Sequence, residues 1–404
     1  MAQDKDQKTL NVPPLRFPGF TDEWISCRIS DYGDIVTGTT PSTSQEENYS
    51  DGKYLWASPS DLGTEKYVHT TQTMLSKTGF EKTRALPPTA ILVTCIGSTI
   101  GKMGMAKYKM STNQQINSII VSPEFDANFV YYAIQSKFPR YISSIAVQAV
   151  PILSKSEFGK LSNSKTSIEE QKKIGHLFSI IDERIATQNK IIEELQSLIK
   201  GLNDSFHDNE HGESISIAEL GHSYSGLSGK SGDDFGQGSP YITYLNVFQN
   251  NVANEDQIGL VTVDENESQN TISYGDVLFT LSSETPEETG IGCVYLGESS
   301  KYYLNSFCFG VRITQPNKVY LPYLAYLVSS SKFRRFVYPL AQGSTRFNLQ
   351  KNDFMKKKFM LLPIDKQKEV SKILDTLNDK LSVECRLLDL YINQKSHLLR
   401  SMFI

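Results

Sequence analysis

Residues 168–182 read IEEQKKIGHLFSIID, and residues 364–378 read IDKQKEVSKILDTLN. Ile, Gln, Lys and the apolar residues recur in the same order, 196 positions apart. Alternate steps of four and three from Ile174 give Ile174, Phe178, Ile181, Ile185, Gln188, Ile192, Leu195, Ile199, Leu202 and Phe206. The same steps from Val370 give Val370, Leu374, Leu377, Leu381, Glu384, Leu388, Tyr391, Lys395, Leu398 and Met402. Unbroken 4-3 spacing keeps one apolar stripe on one side of a helix, the seam pattern of a coiled coil. No Pro interrupts either stretch, so helices are predicted over 168–206 and 364–404. At 1.5 Å per residue the first is roughly 58 Å long. Two such helices of equal length can bury each other's stripe. The polar seam residues Gln188 and Glu384 fall at the same step in each list. In an antiparallel pair they approach each other near mid-length, where one polar contact can set register. The other packing open to each helix is against its own neighbouring domain.

The repeat extends beyond the helices. ISDYGDIVTGTTPS from Ile29 matches IAELGHSYSGLSGKS from Ile217, and KYLWASPSDL from Lys53 matches PYITYLNVFQ from Pro240. ILVTCIGSTIGKMGMA from Ile91 matches VLFTLSSETPEETGIGCVY from Val277 with a short insertion. INSIIV from Ile116 pairs with LNSFCFGV from Leu304, and VQAVPILSKSEF from Val147 with AQGSTRFNLQKNDF from Ala341. Runs such as AILVTCIG, NSIIVS, DVLFTL and CFGVRI are β-branched or aromatic and end in turn residues, so they read as strands. NFVYYAIQS and PYLAYLVSS have helical spacing at corresponding places. The fold class is therefore α+β: a tandem duplication of two globular domains, mainly antiparallel in sheet, separated by two long helices that pair antiparallel. The expected organisation is an arm at 1–23, a domain at 24–167, a helix at 168–206, a second domain at 207–363 and a helix at 364–404.

Composition limits function. The 404 residues are 39% apolar and 21% charged, and carry a net charge of −4. The polar start MAQDKDQKTL and the absence of a long apolar run point away from export and membrane insertion. Cys27, Cys95, Cys293, Cys308 and Cys385 are dispersed, which fits reduced thiols in a cytoplasm. Several catalytic signatures fail. GSTIGKMG has three residues between Gly97 and Gly101 where a phosphate loop needs four, and Met103 stands where Ser or Thr is required. FGQGSP supplies Gly236 and Gly238 but lacks the third Gly of a dinucleotide fingerprint. His207 and His211 in HDNEH lack the Glu of a zinc protease and read as solvated linker histidines. No metal site and no catalytic residue is predicted.

Local charge points elsewhere. Residues 77–109, with Lys77, Lys82, Arg84, Lys102, Lys107 and Lys109, carry a net +5. Residues 332–358, with Arg334, Arg346 and Lys351 among them, carry +7. One basic cluster in each repeat suits phosphate contact. The neighbouring loops hold the groups that read base edges. They are Ser58, Ser60, Ser98, Gln114, Gln115 and Asn117 in the first repeat. The second repeat offers Tyr244, Asn246, Ser283, Glu284, Thr285, Gln342, Ser344, Arg346 and Asn348. Turn capping is the other ordinary role of such Ser and Asn residues.

PPLRFPGFTDEW (Pro13–Trp24), ILVTCIGSTIGK, STNQQINSI and the twin IEEQKKI and IDKQKEV helix starts together resemble the specificity subunit of Type I restriction–modification enzymes. The resemblance covers essentially the whole chain. It departs from the family pattern at LSSETPEETGIG, where the Gly-Ser-x-x-Gly-Lys element is replaced. It implies two target recognition domains, each reading half of a bipartite, asymmetric site in double-stranded DNA. It further implies helices that act as a spacer and dock two methyltransferase subunits, and through them two restriction/translocation subunits. S-adenosylmethionine, ATP and magnesium would be held by those partners and none by this chain. The alternative function for the same layout is a coiled-coil scaffold carrying two peptide-binding domains.

Overall fold

A computed structural model describes residues 11–145, 152–208, 212–298 and 301–404. The chain forms two compact units, one running up to Ile191 and taking in Cys385–Ile404, the other Ile192–Glu384. Each unit therefore owns part of both long helices. Among the described residues, no helix is long and apolar enough to cross a membrane.

In the first unit a five-stranded sheet has the order Gly33–Thr37, Ile116–Val121, Ile91–Thr94, Met103–Ala106, Tyr67–Val68. Its pairs are antiparallel except the last, which is parallel. Alternation along Ile91–Thr94 divides the apolar side chains between its two faces. Ile91 and Val93 pack with Phe129, Tyr132 and Ala133 of the helix Ala127–Ile145. Leu92 points the other way, to Ala57, Leu62, Val68 and Met110. The same core that receives Ile91 receives Ile174, Phe178 and Ile181 of the first long helix, and Met402 and Phe403 from the chain's end.

The second unit repeats this plan with a four-stranded sheet: Gly221–Ser225, Cys308–Ile313, Val277–Thr280, Gly292–Val294. Val277 and Phe279 face Leu324, Leu327, Phe333 and Phe354, while Leu278 joins Ile242, Val247 and Tyr295 on the opposite side. One helix of the first unit is replaced by two, Tyr323–Ser329 and Ser331–Val337. The break falls at Ser330, whose extended backbone ends the first and whose hydroxyl caps the second by accepting from Phe333 N at 3.2 Å. Val370 and Leu374 of the second long helix enter this core, and Ile199, Leu202 and Phe206 of the first pack against it.

Equivalent backbone bonds fix the register of the duplication. Gly33 pairs with Val121 and Gly221 with Ile313, which supports the match of Ile29 to Ile217. Gly38 and Gly226 follow the first sheet strand in each unit, and a Cβ would lie 2.0 Å from Asn113 O and 2.1 Å from Asn305 O, respectively. Only glycine allows that approach. Asn113 and Asn305 are themselves equivalent. Each side-chain oxygen accepts from the backbone N–H two residues on, Gln115 at 3.0 Å and Phe307 at 2.9 Å. This corrects one pairing read from sequence: INS at Ile116 does not correspond to LNS at Leu304. The counterpart of Asn305 lies four residues earlier, because the conserved geometry is the Asn turn that precedes the strand rather than the strand's own Asn117. A second pairing shifts by two residues: Ala57 pairs with Thr112 as Ile242 pairs with Leu304, so Ser58 corresponds to Thr243 and not to Leu245, as the match of Lys53 to Pro240 had it.

The long helices run Ile168–Asp208 and Ile364–Ser401. They lie antiparallel. In the first unit Lys395 Nζ meets Asp182 Oδ1 at 2.6 Å, and Arg184 reaches the Tyr391 hydroxyl at 3.4 Å, so rising numbers on one helix meet falling numbers on the other. Gln188 is buried and Glu384 half-buried. The twin motif has a second task. Gln171 accepts from Asp126 N at 3.1 Å and donates to Thr166 O at 2.7 Å. Gln367 accepts from Tyr320 N at 2.8 Å and donates to Leu362 O at 2.7 Å. Tyr132 then donates to Asp182, as Tyr326 does to Asp375. The first turns of both helices are thus fastened to their own globular domain, and the 4-3 stripe serves domain packing as well as helix pairing. His207, read from sequence as solvated, is buried: Nδ1–H donates to Asn203 O at 2.7 Å and the ring stacks on Tyr323. His211 lies outside the described residues.

Candidate nucleic-acid interface

Strand direction gathers the predicted loops of the first unit. Strands Gly33–Thr37 and Ile91–Thr94 are both antiparallel to Ile116–Val121, so both deliver their C-terminal ends beside the start of that strand. Tyr54–Ala57 runs parallel to Ser111–Thr112 and brings Ser58 beside Asn113. The loops after Thr37, Ala57 and Thr94 therefore meet the turn at Asn113–Gln115. Gln114 is exposed, and its Oε1 accepts from Thr40 Oγ1. Gln115 is half-buried, with Oε1 held by Asn113 Nδ2 at 3.0 Å. Ser98 is exposed at the tip of the loop between Cys95 and Gly101, and Lys102 is exposed just beyond it.

Ser58 and Ser60 share a hydrogen bond of 2.7 Å, and Ser58 Oγ also donates to Asp61 at 2.8 Å. Asp61 accepts from Ser58 N and Gln72 N, so this carboxylate organises the turn from which Ser60 projects. Arg84 donates to Thr37 O at 2.6 Å, which holds its guanidinium at the same end of the sheet. Lys82 Nζ contacts Gln45, Glu47 and Asn48, whereas Lys77 is free in solvent apart from Glu81 at 3.9 Å. Asn117 lies inside. It accepts from Thr37 Oγ1 at 2.7 Å and donates to Leu153 O at 3.4 Å, with 3% exposure. A side chain so placed holds the framework and does not present a base-reading edge.

The second unit assembles its loops differently. The short strand Ser282–Ser283 pairs with Phe347–Leu349, which pairs with Ala341–Gln342. That ladder sets Glu284 and Thr285 beside the hairpin bearing Gln342, Ser344, Arg346 and Asn348. All six are exposed. The Arg346 guanidinium sits over Phe307, itself 53% exposed, at 5.8 Å. Tyr244 donates to Ser282 O at 3.0 Å and stacks on Phe248. Lys351 is half-buried, its Nζ 5.2 Å above the Phe309 ring, and burial lowers its pKa.

Two of the expected contacts in this unit are interior, and a third is tied up by backbone. Asn246 is 1% exposed and staples a loop, donating to Asn254 O and Gln257 O at 2.7 and 2.9 Å. Ser283 is buried and donates to Glu288 at 3.0 Å. Arg334, counted in the basic cluster, is taken up by backbone carbonyls at 287–290 and is not a free phosphate ligand. Lys357 donates to Phe336 O at 2.8 Å. Sequence reasoning missed Thr40, Asn113, Asn305 and Phe307. The Asn pair was legible as two Asn residues just after matched strands, but strand ends are set by tertiary pairing.

Two stretches, residues 21–197 and 213–389, match the Methylase_S family, described as the Type I restriction modification DNA specificity domain. The chain is 30% identical over 188 residues to the Type I restriction enzyme HindI specificity subunit of Haemophilus influenzae, covering 44% of this chain and 40% of that protein. It is 28% identical over 181 residues to the Type I restriction enzyme MjaIX specificity subunit of Methanocaldococcus jannaschii, covering 43% and 42%. These matches span about two fifths of the relatives' own lengths. The fold is similar to the S subunit of a Type I restriction–modification system from M. genitalium, with a TM-score of 0.57, 17% identity, and 97% and 99% of the two chains covered. It is also similar to a chain from a structure on complex assembly and conformational transition of the type I R-M system. There the TM-score is 0.58 at 13% identity, over 93% of this chain and 96% of the other.

Proposed function

Because the chain belongs to the family of Type I restriction modification DNA specificity domains, we propose that it is the DNA-recognition subunit of a Type I restriction–modification complex. The observation that carries the reading is one skeleton built twice, with matched Asn turns and different apical loops. The first unit offers Ser60, Ser98, Gln114 and Gln115 at its sheet end, and the second Glu284, Thr285, Gln342, Arg346 and Asn348. Such amides, hydroxyls, carboxylates and guanidinium groups pair with different base edges. Each unit thus reads its own half of a bipartite site.

The chain itself is non-catalytic in this proposal. Two methyltransferase subunits bind S-adenosylmethionine, and two restriction/translocation subunits bind ATP and magnesium. Methylation of an adenine within a duplex requires that the base leave the stack, which is the partner's task. Apolar residues on the long helices outside the stripe support partner docking: Ile180, Leu390 and Ile392 in the first unit, and Leu198, Ile373 and Val383 in the second, are all exposed.

The test is binding of duplex DNA by this chain assembled with a methyltransferase subunit, across a salt series. Affinity for one bipartite sequence should fall linearly with log salt, since phosphate contacts release counterions. A flat response, together with binding of a peptide by either unit, would instead establish the scaffold reading.

A further inference from the structure

The loop that carries Glu284 and Thr285 is three residues longer than its counterpart. Gly101 N bonds Thr94 O at 2.9 Å in the first unit, and Gly290 N bonds Thr280 O at 3.0 Å in the second. These equivalent bonds close loops 95–100 and 281–289. The longer loop has a brace. Arg334, on the helix Ser331–Val337, donates from Nη1 to Gly290 O at 2.5 Å. Its Nη2 donates to Glu287 O at 2.7 Å and to Thr289 O at 2.9 Å. A planar guanidinium carries a fixed fork of donors, which suits three splayed carbonyls; a lysine ammonium does not span them. Thr289, fully buried, donates to Thr285 O at 3.0 Å. Ser283 donates to Glu288 at 3.0 Å. The base of the loop is therefore tied on both sides, while Glu284 and Thr285 stay exposed at its tip.

We propose that Arg334 is a positioning residue for sequence readout: its clamp on residues 287–290 fixes Glu284 and Thr285 against the bases, and so sets the specificity of one half-site only. This rests on the DNA-reading function proposed above. A clamp and a phosphate ligand differ in signature. Loss of a phosphate contact weakens all sequences alike and reduces the salt slope by about one. Loss of a clamp reduces discrimination among bases and leaves the slope unchanged.

The experiment uses the chain assembled with its methyltransferase partners and a panel of duplexes altered singly in each half-site. Arg334→Met should reduce discrimination by about tenfold at one or more positions of one half-site. The other half-site and the salt slope should be unchanged. Arg334→Lys keeps the charge but should lose discrimination equally. A uniform loss of affinity with a shallower salt slope would show a phosphate contact and overturn the clamp, as would unaltered discrimination. Glu284→Gln and Thr285→Val alter exposed side chains and do not threaten folding. Unaltered discrimination in both overturns the proposal even if Arg334→Met misfolds. Absence of any discrimination by the wild-type complex is a separate outcome: it removes the DNA-reading function, and the clamp with it.

Discussion

Gln171 and Gln367 show how one residue type, twice placed, joins a helix to a domain. Each uses its oxygen for a domain N–H and its amide for the backbone just before the helix. Both are buried. Gln367→Leu leaves Tyr320 N–H and Leu362 O without these partners and should destabilise the second unit by about 1–3 kcal/mol. Gln171→Leu should act similarly on the first. Denaturant unfolding of each variant checks this, and a loss under about 0.5 kcal/mol would deny the fastening role. His207 makes a pH prediction. Burial holds its pKa below the ordinary 6.5. The unfolded chain then takes up the proton first as pH falls, so the contribution is full above pH 6.5 and declines below it. Asn203 O, Asp204, Asp208 and Lys332 modulate this, but burial dominates. His207→Phe keeps the stack on Tyr323 and should flatten the decline in stability between pH 6.5 and 5, read by thermal melts.

At the scale of elements, the two long helices owe their position to a mixture of apolar and ionic contacts. Asp182 and Lys395 are 15% and 18% exposed, and Asp182 also accepts from Tyr132. The pair is partly buried, and the buried Lys66 is a third charge beside it, favoured by Asp182 and opposed by Lys395. Removing Lys395 leaves Asp182 with Lys66 and Tyr132 still near it. Lys395→Met should therefore cost about 1–2 kcal/mol. Adding Asp182→Asn should cost more than Lys395→Met alone, because buried Lys66 then loses the carboxylate that most favours its charge. A double-mutant cycle measured by urea unfolding gives the answer, and strict additivity would sink the coupling. The stripe residues differ in what they touch: Ile174 and Phe178 enter a domain core together with Met402 and Phe403. A 4-3 pattern reports a buried side of a helix, and it is silent on whether the cover is a helix or a sheet.

At the scale of the whole molecule, the proposed DNA-reading function would make the two units of the duplicated plan separately exchangeable. Exchange of residues 24–167 for those of a relative should alter one half of the recognised motif and preserve the other. Methylation mapping of the host genome reads this directly. Deletion of four residues, about one turn, from one long helix should change the number of unread base pairs and leave both half-site sequences intact. Altered half-sites in that variant would refute the spacer role. Both outcomes depend on helices that continue without Pro through residues of both units.

The sequence by itself determined the duplication, the two helices and the α+β class, because a 4-3 apolar repeat and runs of β-branched and aromatic residues are local properties. It also located the loops. It did not decide which loop residues face outward. Gln114 and Asn117 are three positions apart in one polar run, yet one is exposed and the other buried. The difference lies in pairing: Asn117 is inside a strand opposite Thr37, while Gln114 belongs to the turn before it. Likewise Arg334 and Arg346 carry the same charge in one basic cluster. Arg334 is drawn in by carbonyls of a loop some 45 residues away in sequence, and Arg346 stands over Phe307 at the surface. Contacts between residues distant in the chain decide such matters, since the hydrogen-bonding groups that compete for each side chain meet only once the sheets have formed.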